Sequence, residues 1–123
     1  YKDGIPKDYS ANGGGFVFDC RSLENPGRYP EYKNSTGLDE NVISFLRKKN
    51  DVKEFLNSIF SIIDESVKNY INREFNDLMI SFGCTGGQHR SVYCAESLAR
   101  HVKENFNVVV ELNHNQLNKR AGN

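Results

Sequence analysis

The chain has 123 residues, 37% of them apolar, with 16 basic and 16 acidic side chains that cancel to zero net charge. That length supports one domain with its own core rather than two. It also carries no apolar run long enough to span a membrane, and its neutrality disfavours strong non-specific nucleic-acid binding, which draws on accumulated positive charge. The three cysteines, Cys20, Cys84 and Cys94, follow neither a disulfide framework nor a zinc spacing. They point to reduced thiols in the cytoplasm and to no metal site. The opening residues lack the pattern of a secretory leader. Tyr1 in place of an initiator methionine points to a processed chain or a fragment.

Taken in order, residues 1–15 are rich in Gly, Asp, Asn and Pro and read as a loop. Phe16-Val17-Phe18-Asp19-Cys20-Arg21 reads as a short buried strand. Residues 22–38 hold prolines, glycines and tyrosines and predict a long irregular connection of the kind that is often functional. Asp39 is placed to cap a short helix over Val42, Ile43, Phe45 and Leu46, and Asp51 to cap a longer one. That second helix carries Val52, Phe55, Leu56, Ile59, Ile63, Val67, Tyr70 and Ile71 on one continuous apolar face, which is core scaffold. A strand through Leu78–Phe82, a glycine corner and a helix to about Glu104 follow. Val108-Val109-Val110-Glu111-Leu112 predicts a last strand, and residues 113–123 an asparagine-rich tail. The alternation predicts a single three-layer α/β domain, its largely parallel sheet flanked by helices.

The corner Gly83-Cys84-Thr85-Gly86-Gly87-Gln88-His89-Arg90-Ser91-Val92 concentrates the chemistry. A strand that breaks at glycines and resumes as a helix leaves backbone N–H groups at the positive end of the helix dipole, a ready anion site. Gly86 and Gly87 allow close backbone approach. Arg90, in the first helical turn, can grip two phosphate oxygens. No nucleotide-kinase loop and no dinucleotide fingerprint occurs. The end of the first strand brings Asp19 and Arg21 to the same rim, either as ligand contacts or as a pair that stabilises the loop. Cys94, inside the helix, reads as a small buried residue.

Two resemblances follow from these residues. Cys84-x5-Arg90 followed by Ser91 resembles the loop of cysteine-dependent phosphatases, which would make Cys84 the nucleophile, Arg90 the phosphate clamp, Ser91 a stabiliser of the departing thiolate and Asp19 the general acid. The histidine that usually precedes that cysteine is Gly83 here. The longer resemblance rests on F-V-F-D-C-R-S-L-E-N-P at 16–26, T-G-L-D at 36–39 and G-C-T-G-G-Q-H-R-S-V at 83–92. These three blocks are similar to the C-terminal domain of the RapZ/YvcJ family, over nearly the whole chain.

That resemblance implies a regulatory binding domain rather than an enzyme, without a cofactor. It would sense a phosphorylated amino sugar such as glucosamine-6-phosphate, or a nucleotide sugar. It further implies small-RNA binding, presentation to an RNase, and a homo-oligomer, with no membrane partner. Family members carry an N-terminal P-loop nucleotide-binding domain, absent from this sequence. Thr85, Gly86, His89 and Arg90 would contact the sugar phosphate. Cys84, Gly87, Gln88 and Ser91 of the same loop, with Asp19, Arg21 and Asn25, complete the candidate ligand-binding set. His114, Lys119 and Arg120 are the candidate RNA contacts. Gly27 stands where the family has a histidine, Gln88 where it often has a lysine, and the basic tail is reduced to Lys119 and Arg120.

Overall fold

The computed structural model describes residues 15–75 and 77–120, the side chains of 119 and 120 excepted. Two strands, β1 (Gly15–Asp19) and β2 (Met79–Gly83), pair in parallel, with Gly15 opposite Met79 and Asp19 opposite Gly83. Between them run two short 3-10 turns at Pro26–Arg28 and Pro30–Tyr32, then α1 (Glu40–Arg47) and α2 (Asn50–Asn72). After β2 come α3 (Arg90–Asn105) and α4 (Asn115–Arg120). The domain is mixed α/β.

The apolar face predicted for α2 holds as far as Val67, whereas Ile71 at its end is 50% exposed. Val52, Leu56, Ile59, Ile63 and Val67 are buried along it at spacings of three and four. Ile59, Ile63 and Val67 meet Leu98 and Val102 of α3, and Phe16, Phe18, Ile80 and Phe82 pack onto that cluster from the strands. Alternate residues of β1 thus face the helices, while Val17 between them is exposed. Phe18 and Phe82 meet across the strand pair with ring centroids 5.5 Å apart. A second cluster joins Val42 and Leu46 of α1 to Cys20, Leu23, Val52, Leu56, Cys84 and Cys94. It lies directly under the ends of both strands.

Four expectations are corrected. Residues 108–112 form no strand. Val109 is 92% exposed, and the segment flanks an apolar cavity of about 230 Å³ instead of joining the sheet. Among the described residues the sheet therefore has two strands, and a third layer is not seen. Asp51 does not cap α2. Lys49 holds that position, and Asp51 lies in the first turn, accepting from the Val52 and Glu24 N–H groups. Asp39 stands at the N-terminal position of α1, but its carboxylate accepts from Thr36 N–H at 2.7 Å, not from the helix. The tail, finally, contains α4 rather than irregular chain alone. The expected loop at 1–15 lies outside the described residues but for Gly15.

The Thr36–Asp39 stretch shows why its residue types are needed. Thr36 N–H donates to the Asp39 carboxylate and Asp39 N–H returns to Thr36 O at 3.0 Å, closing a tight turn. That turn aims Gly37 N–H at Gln88 O, 2.9 Å away. A β-carbon on Gly37 would lie 2.5 Å from His89 O and 2.6 Å from Tyr93 N, both backbone atoms at the start of α3. Glycine is the residue that allows this approach. Gly37→Ala should therefore lower unfolding free energy by about 1–3 kcal/mol, the usual cost of overpacking. Gly86→Ala, where an added β-carbon meets nothing within 4 Å, should stay within about 0.5 kcal/mol. Denaturant midpoints of the two variants check the contrast, and equal midpoints would refute it.

Candidate functional site

The register fixes the rim. Asp19 opposite Gly83 brings both strands to an end side by side, and Cys20 N–H extends the ladder to Gly83 O at 2.7 Å. The chain then turns through Cys84–His89 into α3. Ligands of α/β sheets approach from such a carboxyl edge.

The corner has an open outer side and a tied inner side. Thr85 and Gly86 are exposed. Gly87 adopts a left-handed φ of 67°, and its missing side chain makes room for Gln116 of α4, whose Cγ would stand 2.5 Å from an added β-carbon. Gln88 and His89 point back to the irregular connection. The Gln88 side-chain amide donates to Lys33 O at 2.8 Å and Ser35 O at 2.7 Å. His89 Nε2 lies 2.8 Å from Tyr32 O, a geometry in which Nε2 carries the proton, since a carbonyl only accepts. Gly27 faces the opposite edge of that ring, where an added β-carbon would stand 3.5 Å from His89 Nδ1.

Arg90 is 4% exposed. Its Nη1 donates to Arg21 O at 2.8 Å and Leu23 O at 3.0 Å, which clamps the connection after β1 onto the start of α3. Its Nε is buried with no hydrogen-bond partner among the described residues. Buried polar groups left in that condition call for an explanation, an unseen ion among them.

Cys84 is buried, and its Sγ lies 3.2 Å from Ser91 Oγ. Burial alone pushes this thiol up. The Ser91 hydroxyl, the backbone N–H groups of Ser91 and Gly87, and the Arg90 charge together outweigh it and hold the thiol below its ordinary value. Cys20 behaves oppositely: its hydrogen bond with the Cys94 thiol, then burial, pushes it up. Cys94 is fully buried, as its sequence position predicts.

The remaining candidates divide clearly. Arg21 Nε and Nη2 bind the Asp19 carboxylate at 2.6–3.0 Å, and Arg21 N–H adds a bond at 2.9 Å. Hydrogen bonds from the Arg21 side chain and backbone lower the Asp19 carboxyl to about 2. The two thus form an ion pair at the rim. Asn25 begins the first 3-10 turn, its side chain accepting from Gly27 N–H at 2.9 Å. His114 Nε2 lies 2.8 Å from Glu96 Oε2 on α3. Lys119 and Arg120 end α4, and their side chains lie outside the described residues. No group of three or more His, Cys, Asp or Glu among the described residues could hold a metal. No helix among them is long and apolar enough to cross a membrane.

Sequence reasoning missed Gln116, whose only signal was its place in a tail beside His114. It also missed the carbonyls of Tyr32, Lys33 and Ser35 as partners of the corner, which no side-chain motif could reveal.

The fold and corner define a small α/β domain with a strand, a glycine loop and a helix meeting at one rim. The family model for the RapZ C-terminal domain matches residues 1–118, and the chain belongs to that family. Among similar relatives, a "Nucleotide-binding protein" of Bacillus cytotoxicus is 41% identical over 99% of this chain and 39% of its own length. One of Thermotoga neapolitana is 40% identical over 97% of this chain and 40% of its own. One of Bacillus thuringiensis is 40% identical over 99% and 39%. The chain thus spans about two fifths of the length of the relatives it matches.

The Cys84 geometry yields a pH test. A thiol whose folded pKa lies below its unfolded value adds stability above the unfolded value, and loses it as pH falls through the folded one. Thiolate absorbance against pH should show Cys84 ionising below the ordinary value of a free thiol. Ser91→Ala should move that step up, and Cys84→Ser should remove it. Three thiols all ionising above the ordinary value would contradict the geometry.

Proposed function

We propose that the Thr85–Arg90 corner binds a phosphorylated amino sugar, glucosamine-6-phosphate or the sugar-phosphate part of a nucleotide sugar. The chain then serves as a sensing domain rather than as an enzyme. One observation carries this reading: a buried guanidinium, with Nε unpartnered, stands in the first turn of the helix entered by the open Thr85–Gly86 backbone. Guanidinium and helix start both favour an anion. The placement of His89 supports the sugar half. With Nε2–H given to Tyr32 O, Nδ1 is the ring nitrogen left to meet a polar group of the sugar.

Two further observations weigh against the phosphatase alternative. Cys84 Sγ sits beneath the loop, 2% exposed, facing Ser91 rather than the open side. Asp19, the candidate acid, is locked to Arg21 and ionised well below neutrality, so it has no proton to give. The relatives' shared name fits a nucleotide sugar as one form of ligand, but it belongs to proteins much longer than this chain. Self-association and RNA presentation to an RNase follow from family likeness alone. Zero net charge and the engagement of His114 with Glu96 favour the phosphosugar over RNA.

Titration calorimetry with glucosamine-6-phosphate, a uridine-diphosphate amino sugar and inorganic phosphate tests the reading. At least one phosphosugar should bind. Gly86→Asp, which sets a carboxylate on the open side, should weaken it at least tenfold without lowering the unfolding midpoint. Cys84→Ser should remain within tenfold, about 1.4 kcal/mol. No binding at millimolar concentration removes the proposal, and aryl-phosphate turnover that vanishes in Cys84→Ser replaces it with the enzyme.

A further inference from the structure

The tail after α3 does not hang free of the corner. Gln116 packs its Cβ and Cγ directly on Gly87, close enough that an added β-carbon there would stand 3.1 and 2.5 Å from them. Two residues earlier, His114 is fixed to Glu96 of α3 at 2.8 Å, with only 13% of its side chain exposed. Asn118 N–H donates to His114 O at 2.9 Å and closes the first turn of α4. A helix of six residues is far below the length that holds in water by itself. Its order therefore derives from docking, and both docking points belong to the corner's own elements: the glycine loop and α3.

The coverage is one-sided. Gln116 closes the Gly87 side, whereas the Gly86 side meets nothing within 4 Å. A ligand resting on Thr85–Gly86 would therefore have the Gln116 side chain as its neighbour along the loop. A primary amide offers both a donor and an acceptor, which suits sugar hydroxyls and phosphate oxygens alike.

From this geometry we infer that residues 113–118 form a strap that completes the anion site, with Gln116 as a ligand-contacting, specificity-determining residue and the His114–Glu96 pair as its anchor. The inference rests on the phosphosugar reading of the corner and adds to it a wall supplied from the far end of the chain. Linkage then requires that ligand and docked strap favour each other. Ligand slows opening of the strap, and loss of the anchor weakens ligand.

The test uses the full chain, with glucosamine-6-phosphate and inorganic phosphate as probes. Hydrogen exchange at the Asn118 amide should slow at saturating probe. His114→Ala, which removes the bond to Glu96, should weaken binding about tenfold while the unfolding midpoint stays near wild type. Gln116→Glu keeps the size of the side chain but sets a negative charge beside the site, and should weaken binding further. Gln116→Ala should narrow the difference in affinity between the phosphosugar and phosphate. Equal affinity of wild type, His114→Ala and Gln116→Glu overturns the strap and leaves the corner intact. No binding by wild type overturns the phosphosugar reading, and the strap's part in it falls with it.

Discussion

A buried guanidinium organises this rim. Placing the Arg90 charge where water scarcely reaches is costly unless polar partners replace the solvent, and the fold supplies them from the carbonyls of Arg21 and Leu23. Those carbonyls belong to the chain just after β1, so one side chain holds the first strand's exit against the start of α3. The parallel register does the rest by ending both strands at the same level. The connection that follows is then folded back twice onto the corner, by Gln88 and His89 on the carbonyls of Tyr32, Lys33 and Ser35, and by Gly37 on Gln88 O. Removing Arg90 would leave carbonyls and a thiol to be satisfied by nothing in particular, which is why its replacement is a poor probe of ligand contact.

An anion bound at the corner, as proposed above, would bear on the Cys84 thiol. Backbone N–H groups of Gly87 and Ser91 already favour the Cys84 thiolate. A phosphate held over Thr85–Gly86 would repel that thiolate across a few ångströms of low-dielectric protein. Anion binding and thiol protonation therefore assist each other.

Much of the frame was legible because it rests on local pattern. Phe16, Val17 and Phe18 mark a strand by residue type, though one expected to be buried whereas Val17 is 45% exposed, and the spacing of Val52, Leu56, Ile59, Ile63 and Val67 marks the long helix. The corner was legible for the same reason, its residues being contiguous. Residues 108–112 were misread because three valines state a preference that only a neighbouring strand can satisfy, and β-propensity measures fit to such a surface. The end of α2 shows the reverse case. Glu74 takes a left-handed φ of 58° while Phe75 N–H reaches Tyr70 O at 2.9 Å, a helix termination usually marked by glycine that no glycine here announces. The partners of the corner stayed hidden because they are backbone carbonyls, which sequence does not distinguish.

Gly27 shows how a departure from the family pattern reads in three dimensions. Its backbone is not in the left-handed region, and an added β-carbon would lie 3.5 Å from the His89 ring, an ordinary contact, with only the Asn25 side-chain oxygen closer at 3.1 Å. Neither fold nor turn demands glycine at this position. What its absence of a side chain does is leave room beside the His89 ring, which is itself buried. A histidine there would add a second imidazole against that ring and take up the room of one ligand group. The difference thus falls at the edge of the corner formed by the His89 ring. If the phosphosugar proposal holds, ligand selectivity should differ from that of relatives bearing a histidine there in the group that meets His89, with the phosphate requirement unchanged.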